Sequence, residues 1–469
     1  MSGRYDAIVV GSGPNGLAAA IRIAEAGRSV LVLEAAEDLG GGLRTMELTE
    51  PGFRHDVCST IQALAVISPF MRDQPFDLVW PPAPLAHPLG GEVAAVLERS
   101  VEATARGLGR DGPAYRRLLG PLRRQETAVF DQVLGPMRPP RHPLVLARFG
   151  APALLPAAVL ARLAFRDPPA RALFAGASAH SMLSLHEPAT SAFGLLMQLA
   201  AHVGGWPLAR GGSATLAAAL VRRLQAAGGE VRSGVRVDSV DRLPPARAFL
   251  LDLTPRGVLR VAGQRLRGRY RRALERYRYG PGVFVVHWAL DGPIPWSAPQ
   301  CRRAATVHVG GTLAEVANAE AEVAAGRVPE RPFVLVTQPT LFDPSRAPAG
   351  KHVGWAYCHV PNGCDADVTG AIEAQVERFA PGFRDVVRAR ATWGPADQER
   401  HNANYVGGDI NGGRQDVRQL WTRPAARLNP YTTPDPSLFI CSSATPPGGG
   451  VHGMCGWYAA RAALHGALR

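Results

Sequence analysis

Residues 6–35, DAIVVGSGPNGLAAAIRIAEAGRSVLVLEA, constrain the fold more than any other stretch. The run DAIVV at 6–10 is almost continuously apolar, as a buried parallel strand requires. Gly11, Gly13 and Gly16 follow as G-x-G-x-x-G. Gly11 allows a tight turn, Gly13 lets the backbone approach a pyrophosphate, and Gly16 lets a helix pack on the strand. LAAAIRIAEAG reads as that helix, its N-terminal amides aimed at the phosphates, and Gly27 ends it. SVLVLE is a second strand with Glu34 at its tip, 23 positions after Gly11. That is near the ~20 residues expected for an acid that binds a ribose. Strand, glycines, helix, strand and acid, in this order, predict a dinucleotide-binding unit with Pro14 and Asn15 in its loop. A carboxylate at 34 disfavours a 2′-phosphate, which argues against NADP.

Two further glycine clusters extend the pattern. DLGGGLRT at 38–45 follows the second strand directly. PSLFICSSATPPGGGVHGMCGWYAARAAL at 436–464 reads as an apolar strand, a Pro/Gly-rich turn and an alanine-rich helix. Glycines at 448, 449, 450, 453 and 456 would let a planar ring sit almost on the backbone. The helix start would then present N–H groups to that ring.

These segments resemble the FAD motifs of phytoene-dehydrogenase-like proteins, part of the amine oxidase superfamily, including the pyridine-nucleotide-disulphide-oxidoreductase-domain-2 type. The resemblance covers nearly the whole chain and is strongest at 6–57, 205–240 and 400–469. It implies an α/β fold: a Rossmann-like FAD-binding domain, glutathione-reductase-like and of amine oxidase type, with an inserted α+β substrate domain. It implies noncovalent FAD. Gly41, Gly42, Arg44 and Thr45 would hold the pyrophosphate. The backbone of Val237 would meet the adenine. Ser443 stands where the family has a ribityl-contacting, often acidic residue. The backbone from Gly449 and Gly450 to Gly453, Met454 and Cys455 would hold the flavin, with helix N–H groups stabilising negative charge at its N1 and O2. His452 lies in the same motif and is a candidate acid/base, since histidine titrates in the useful range. The alternative is that its backbone alone counts there.

The implied organisation is discontinuous. Residues 1–60, 205–255 and 400–469 are expected to form the FAD domain, and 61–204 with 256–399 the substrate domain. In the return segment, Gly211, Gly212 and Ser213 open a helix, and EVRSGVRVDSV (230–240) reads as an alternating strand. The family's hairpin meander is shortened or absent, because DRLPPAR runs directly into AFLLDLTP. Residues 60–205 read as mostly helical. Strand candidates at 282–290, 333–341 and 352–360 would roof the flavin. The segment 141–176 mixes apolar runs with spaced arginines and is read as a core helix pair, the alternative being a membrane-surface helix.

Desaturation of a hydrophobic substrate by hydride transfer to flavin N5 fits these features best, within an apolar tunnel that orients the substrate. The family's amine oxidases place a lysine beside N5. Lys351 is the sole lysine here and lies in a turn, while the matching strand carries His287. A disulphide reductase is excluded by the absence of a C-x-x-C pair among the six cysteines. A flavin amine oxidase, a redox-neutral polyene isomerase on reduced FAD and a Rab GDP-dissociation-inhibitor-like lipid carrier are the remaining alternatives. The electron acceptor (oxygen, a quinone or a soluble carrier) is open. The net charge of +13 comes almost wholly from arginine spread along the chain, without a dense basic block, so no nucleic acid is expected. Strand-like residues begin at Tyr5, and no apolar run reaches about 18 residues, so a cytoplasmic protein is expected, with peripheral membrane contact left open.

Overall fold

The computed structural model describes residues 5–469. The opening unit folds as its pattern requires: strand Tyr5–Val10, helix Pro14–Ala24, strand Val30–Leu33. Pro14 sits at the first turn of the helix, where its missing N–H is no loss. Leu17, Ile21 and Ile23 are fully buried, each stabilising the packing by roughly 1.5–3 kcal/mol. These strands centre a five-stranded parallel sheet. Its order is Leu438–Ile440, Ala246–Leu251, Tyr5–Val10, Val30–Leu33 and Glu230–Arg232. The first and last thirds of the chain therefore share one sheet. The final helix, Met454–His465, packs on the first one.

A second sheet of seven strands lies over the first unit. Its order is Val387–Trp393, Gly282–Leu290, His352–Val360, Val334–Thr337, Ala304–Val309, Ala83–Gly90 and Val93–Leu97. The strand expected at 333–341 is shorter, and Pro339–Leu341 turns into a 3-10 helix. The hairpin formed by the last two strands corrects the mostly helical reading of 60–205. Its alanine- and proline-rich sequence carries little strand propensity and gains its order from the sheet it joins. Seven helices between Val101 and Val203 complete this half.

Two other expectations change. Residues 230–240 form a strand only over Glu230–Arg232. Beyond it the chain follows Glu34 and Ala36 by two backbone hydrogen bonds, Val235 N to Glu34 O and Gly234 N to Ala36 O. The helices Pro255–Ala262 and Gly268–Glu275, assigned from sequence to the substrate domain, pack on the parallel sheet: Val258, Val261, Tyr270 and Leu274 join Ile8, Leu31 and Phe249 in one core.

A buried ion cluster ties the halves together. Arg346 has no exposed surface and contacts Asp56 at 2.8 Å and Asp343 at 3.0 Å, and donates to Ala209 O at 2.8 Å. Asp56 also accepts from Ser213 N, and Asp343 from Gly211 N. The turn that returns the chain to the parallel sheet is thereby pinned to both halves.

Candidate active site

Three glycine segments converge beyond the carboxyl ends of the parallel strands. Gly11, with φ of +105°, lies under Asp252. Gly41, with φ of +59°, has room for no side chain, because a Cβ would sit 2.9 Å from the Cα of Gly13. The first and second glycine loops thus touch backbone to backbone. Gly449, from the C-terminal loop, is equally close to the backbone of Asn411. A cavity of about 960 Å³ begins at this meeting point and runs between the sheets into the helical region. That is the upper range for a small-molecule site.

The cavity wall gathers Gly11, Gly13, Pro14, Asn15, Glu34, Gly41, Gly42, Arg44, Val237, Ser443, Gly449, Gly450 and His452. These span both ends of the sequence. Gly16, Thr45, Gly453, Met454 and Cys455 stand one layer behind it. Gly16 makes the tight turn possible, since a Cβ would meet Gly11 O at 2.1 Å. Thr45 is used structurally, donating to Asp56 and accepting from Ala214 N. Gly453 packs on Phe70 and Ala18. Burial pushes the Cys455 thiol up to about 11, so it stays protonated.

Glu34 is held firmly in place. It accepts from Ser12 N at 2.8 Å, Ser12 Oγ at 2.7 Å and Ala36 N at 3.0 Å, and Arg44 approaches to 3.6 Å. Arg44 is anchored in turn by Asp38 O, through Nη2 at 2.7 Å and Nε at 3.1 Å. Asn15 is nearly buried and its Oδ1 has no partner, an acceptor held ready at the helix start.

Sequence reasoning missed two buried charged residues of this wall. Asp252, at the tip of strand Ala246–Leu251, accepts from Gly16 N at 3.0 Å. Burial is the chief reason its carboxyl is pushed up to about 7, against the lowering effect of the Gly16 and Gly13 amides. Arg423 has only 1% of its surface exposed and donates to Ser443 O at 2.9 Å, while its Nη1 has no partner. It brings a buried positive charge to the loop that carries Ser443. For Asp252 a signal existed, since an acid follows an apolar strand in FLLD; Arg423 had none.

His452 requires a correction. Its Nε2 donates to Gly448 O at 3.1 Å and its Nδ1 accepts from Met454 N at 3.0 Å. Burial pushes it down to about 4. With both nitrogens engaged by backbone, the ring holds the glycine turn in shape and has no free position for moving a substrate proton.

The other half of the cavity is apolar, lined by Leu134, Leu146, Phe149, Phe193, Leu196 and Met197 among others. Among the described residues, Glu34 and Asp252 are the carboxylates of the wall, and both lie at the glycine end. Histidines that look scattered in sequence converge here. His180 lines the cavity, and its Nε2 is 3.1 Å from Nε2 of His308. His87 lies on the far side of His308, with Gly176 between: a Cβ there would be 2.8 Å from both Nδ1 atoms. Burial pushes His180 to about 3 and His87 to about 4, so the group is neutral. Lys351 lies elsewhere and pairs with Asp291 at 2.8 Å.

The fold joins a Rossmann-like unit to a second, larger sheet and its helices around one large cavity. The family model described as an NAD(P)-binding Rossmann-like domain matches residues 9–69. The chain is 24% identical to pyridine nucleotide-disulfide oxidoreductase domain-containing protein 2 of Rattus norvegicus, over 97% of this chain and 92% of that one. It is 25% identical to a lycopene-forming phytoene desaturase of a Paracoccus species, over 96% and 95%. An oxidoreductase from Methanosarcina mazei superposes with a TM-score of 0.66 at 16% identity, covering 99% of this chain and all of that one. Putrescine oxidase superposes at 0.60 and 17%, with 98% of each chain covered. Over nearly its whole length the chain is thus similar to these relatives, and it shares the fold of these oxidoreductase and oxidase structures.

Proposed function

We propose that the protein binds FAD noncovalently and removes two hydrogens from a hydrophobic substrate, forming a C–C double bond. The single observation that carries this reading is the continuity of the cavity: a glycine cradle with a ribose acceptor at one end opens into an apolar chamber at the other. The donor set fits the cofactor. Glu34 is an acceptor for ribose hydroxyls, the Gly13–Asn15 turn and Arg44 line the wall where a pyrophosphate would lie, and Gly449 and Gly450 line it where a flat ring would lie. When bound, FAD supplies the hydride acceptor at N5.

The chain's own residues do the rest. Apolar side chains from Leu134 to Met197 orient a hydrocarbon and exclude water. No carboxylate of the chamber half offers an ion pair to an ammonium, which favours a neutral substrate over an amine. His180 lines the chamber as a neutral ring, its Nε2 3.1 Å from that of His308.

Purified protein should show a flavin absorbance spectrum, and mass spectrometry of the extracted small molecules should find FAD at near one per chain with an apolar co-purifying ligand. A colourless protein that takes up no added FAD would overturn the proposal.

A further inference from the structure

Three buried polar side chains stand in one row across the large sheet. Thr306 on strand Ala304–Val309 pairs with Thr337 on Val334–Thr337, and Thr337 pairs with Trp355 on His352–Val360. All three line the cavity. Leu335 and Tyr357, two residues along on the same face, line it too. Thr306 is 3% exposed, Thr337 2% and Trp355 6%. Thr306 Oγ1, Thr337 Oγ1 and Trp355 Nε1 have no hydrogen-bond partner. Buried polar groups are as a rule paired, so three unpaired neighbours in a cavity wall point to a ligand.

The chemistry of the row identifies that ligand. The indole N–H only donates, and each threonine hydroxyl can donate. Hydroxyl and methyl are similar in size, so rotation about χ1 turns a threonine hydroxyl to a ligand without moving the strand. No lysine or arginine lies on the three strands. His180, in contact with His308 on the first of them, is held neutral by burial. An anion would therefore be buried there without a counter-charge. A carbonyl oxygen, with two lone pairs and no hydrogen of its own, matches a row of donors better than a hydroxyl does. The row also has a defined place in the cavity. Trp355 packs with Met182 and Ile410. Asn411 donates Nδ2 to Met182 Sδ at 2.8 Å and lies against Gly449. The polar row is thus close to the C-terminal glycine loop. On the apolar side of the chamber, helix Pro143–Ala153 contributes Leu146 and Phe149 and leaves Leu144 exposed. Of segment 141–176, only Pro168–Ala179 is the largely buried core helix that the sequence suggests.

We propose that Thr306, Thr337 and Trp355 form a subsite for a neutral carbonyl oxygen, so that the chamber takes a long apolar ketone or aldehyde rather than a pure hydrocarbon. A few placed polar groups in an otherwise apolar pocket fix a ligand's orientation and reject analogues that lack the matching group. Calling this molecule the substrate rests on the proposed function; the subsite itself does not need the cofactor.

Binding of diheptyl ketone and of pentadecane, each delivered from cyclodextrin to the full purified chain, tests it, whether or not the protein carries flavin. Thr306→Val with Thr337→Val should weaken ketone binding about tenfold and leave pentadecane binding unchanged or tighter. Trp355→Phe should act in the same direction. The C=O infrared stretch of the bound ketone should lie lower in the wild type than in hexane, and return towards the hexane value in the variants. Because the valines replace unpaired hydroxyls, the melting temperature should not fall. Equal losses for ketone and alkane overturn the proposal, since the residues then only shape the wall. So does a wild type that fails to bind the ketone, or an unshifted stretch. A lower melting temperature overturns it too, because the hydroxyls are then already satisfied. A protein that binds the ketone as described but takes up no FAD sinks the proposed function and leaves the subsite standing.

Discussion

Gly456, in the last helix, lies against the carbonyl of Asn15, in the first: a Cβ built on Gly456 would be 1.7 Å from that oxygen and 3.0 Å from the nitrogen of Ala19. The two ends of the polypeptide are joined at this contact. Asn15 belongs to the glycine cradle, so the contact also sets the distance between the two halves of the candidate site.

Gly456→Ala should therefore destabilise the protein by about 3 kcal/mol, the upper range for overpacking, because the obstacle is backbone and cannot rotate away. Thermal denaturation checks it. Gly370→Ala is the control: it lies in helix Thr369–Phe379 with nothing within 4 Å, and should be neutral or stabilising by about 0.4–1 kcal/mol. Equal melting temperatures for wild type and Gly456→Ala would mean that the helices are not this close.

The cluster around Arg346 makes a second stability prediction. Arg346→Leu leaves Asp56 and Asp343 buried without their cation, at a cost of about 3–5 kcal/mol. Adding Asp56→Asn and Asp343→Asn to the same chain should restore part of the loss by removing the uncompensated charge. Urea denaturation of the single and triple variants measures both steps, and a triple variant weaker than the single one contradicts the account.

Asp252 gives a pH dependence whose sign follows from its environment. Its carboxyl is pushed from the ordinary 3.8 to about 7, mainly by burial. The folded state thus keeps a proton that the unfolded chain has already released. The group's contribution to stability is greatest below pH 4 and falls as pH rises through 7, by an upper limit of about 4 kcal/mol. Asp252→Asn should flatten that part of the profile. If FAD is bound as proposed, its retention should also weaken above pH 7 in wild type, as a carboxylate forms near the phosphates, and less so in the variant. Parallel pH profiles for the two proteins would remove Asp252 from this role.

What was legible in the sequence was whatever depends on neighbours along the chain. The opening strand, turn and helix, the Gly211–Gly212 turn, the strands at 282–290 and 352–360 and the final helix all follow from local periodicity and glycine placement. The hairpin Ala83–Leu97 was not: its alanine- and proline-rich strands pair with each other, and the first is held in the large sheet by Ala304–Val309, more than 200 residues away. The His180–His308 contact joins residues 128 apart, brought together only when helix Pro168–Ala179 packs under the second sheet. His452 lines the cavity beside the C-terminal glycines, but its chemistry was not readable: only the fold shows that both ring nitrogens are taken by Gly448 and Met454. Asp252 was hidden for a similar reason. An acid at the end of an apolar run is common, and it becomes significant only when the glycine loop closes over it.

The two ends of the cavity should be separable by mutation. Glu34→Ala removes an acceptor from the glycine end, where each charge-assisted hydrogen bond is worth roughly 1.5–3 kcal/mol. Flavin retention through gel filtration should fall by about tenfold or more, and the apolar ligand recovered on extraction should be lost only in proportion to the flavin. Leu196→Trp acts at the other end, where Leu196 lines the chamber on helix Thr190–Val203. The added ring volume fills space that a hydrocarbon would occupy, far from the glycine loops. Flavin content should stay at the wild-type level while the extracted ligand disappears. If both variants lose flavin and ligand together, the cavity is one indivisible site, and the division into a cradle for FAD and a chamber for substrate fails.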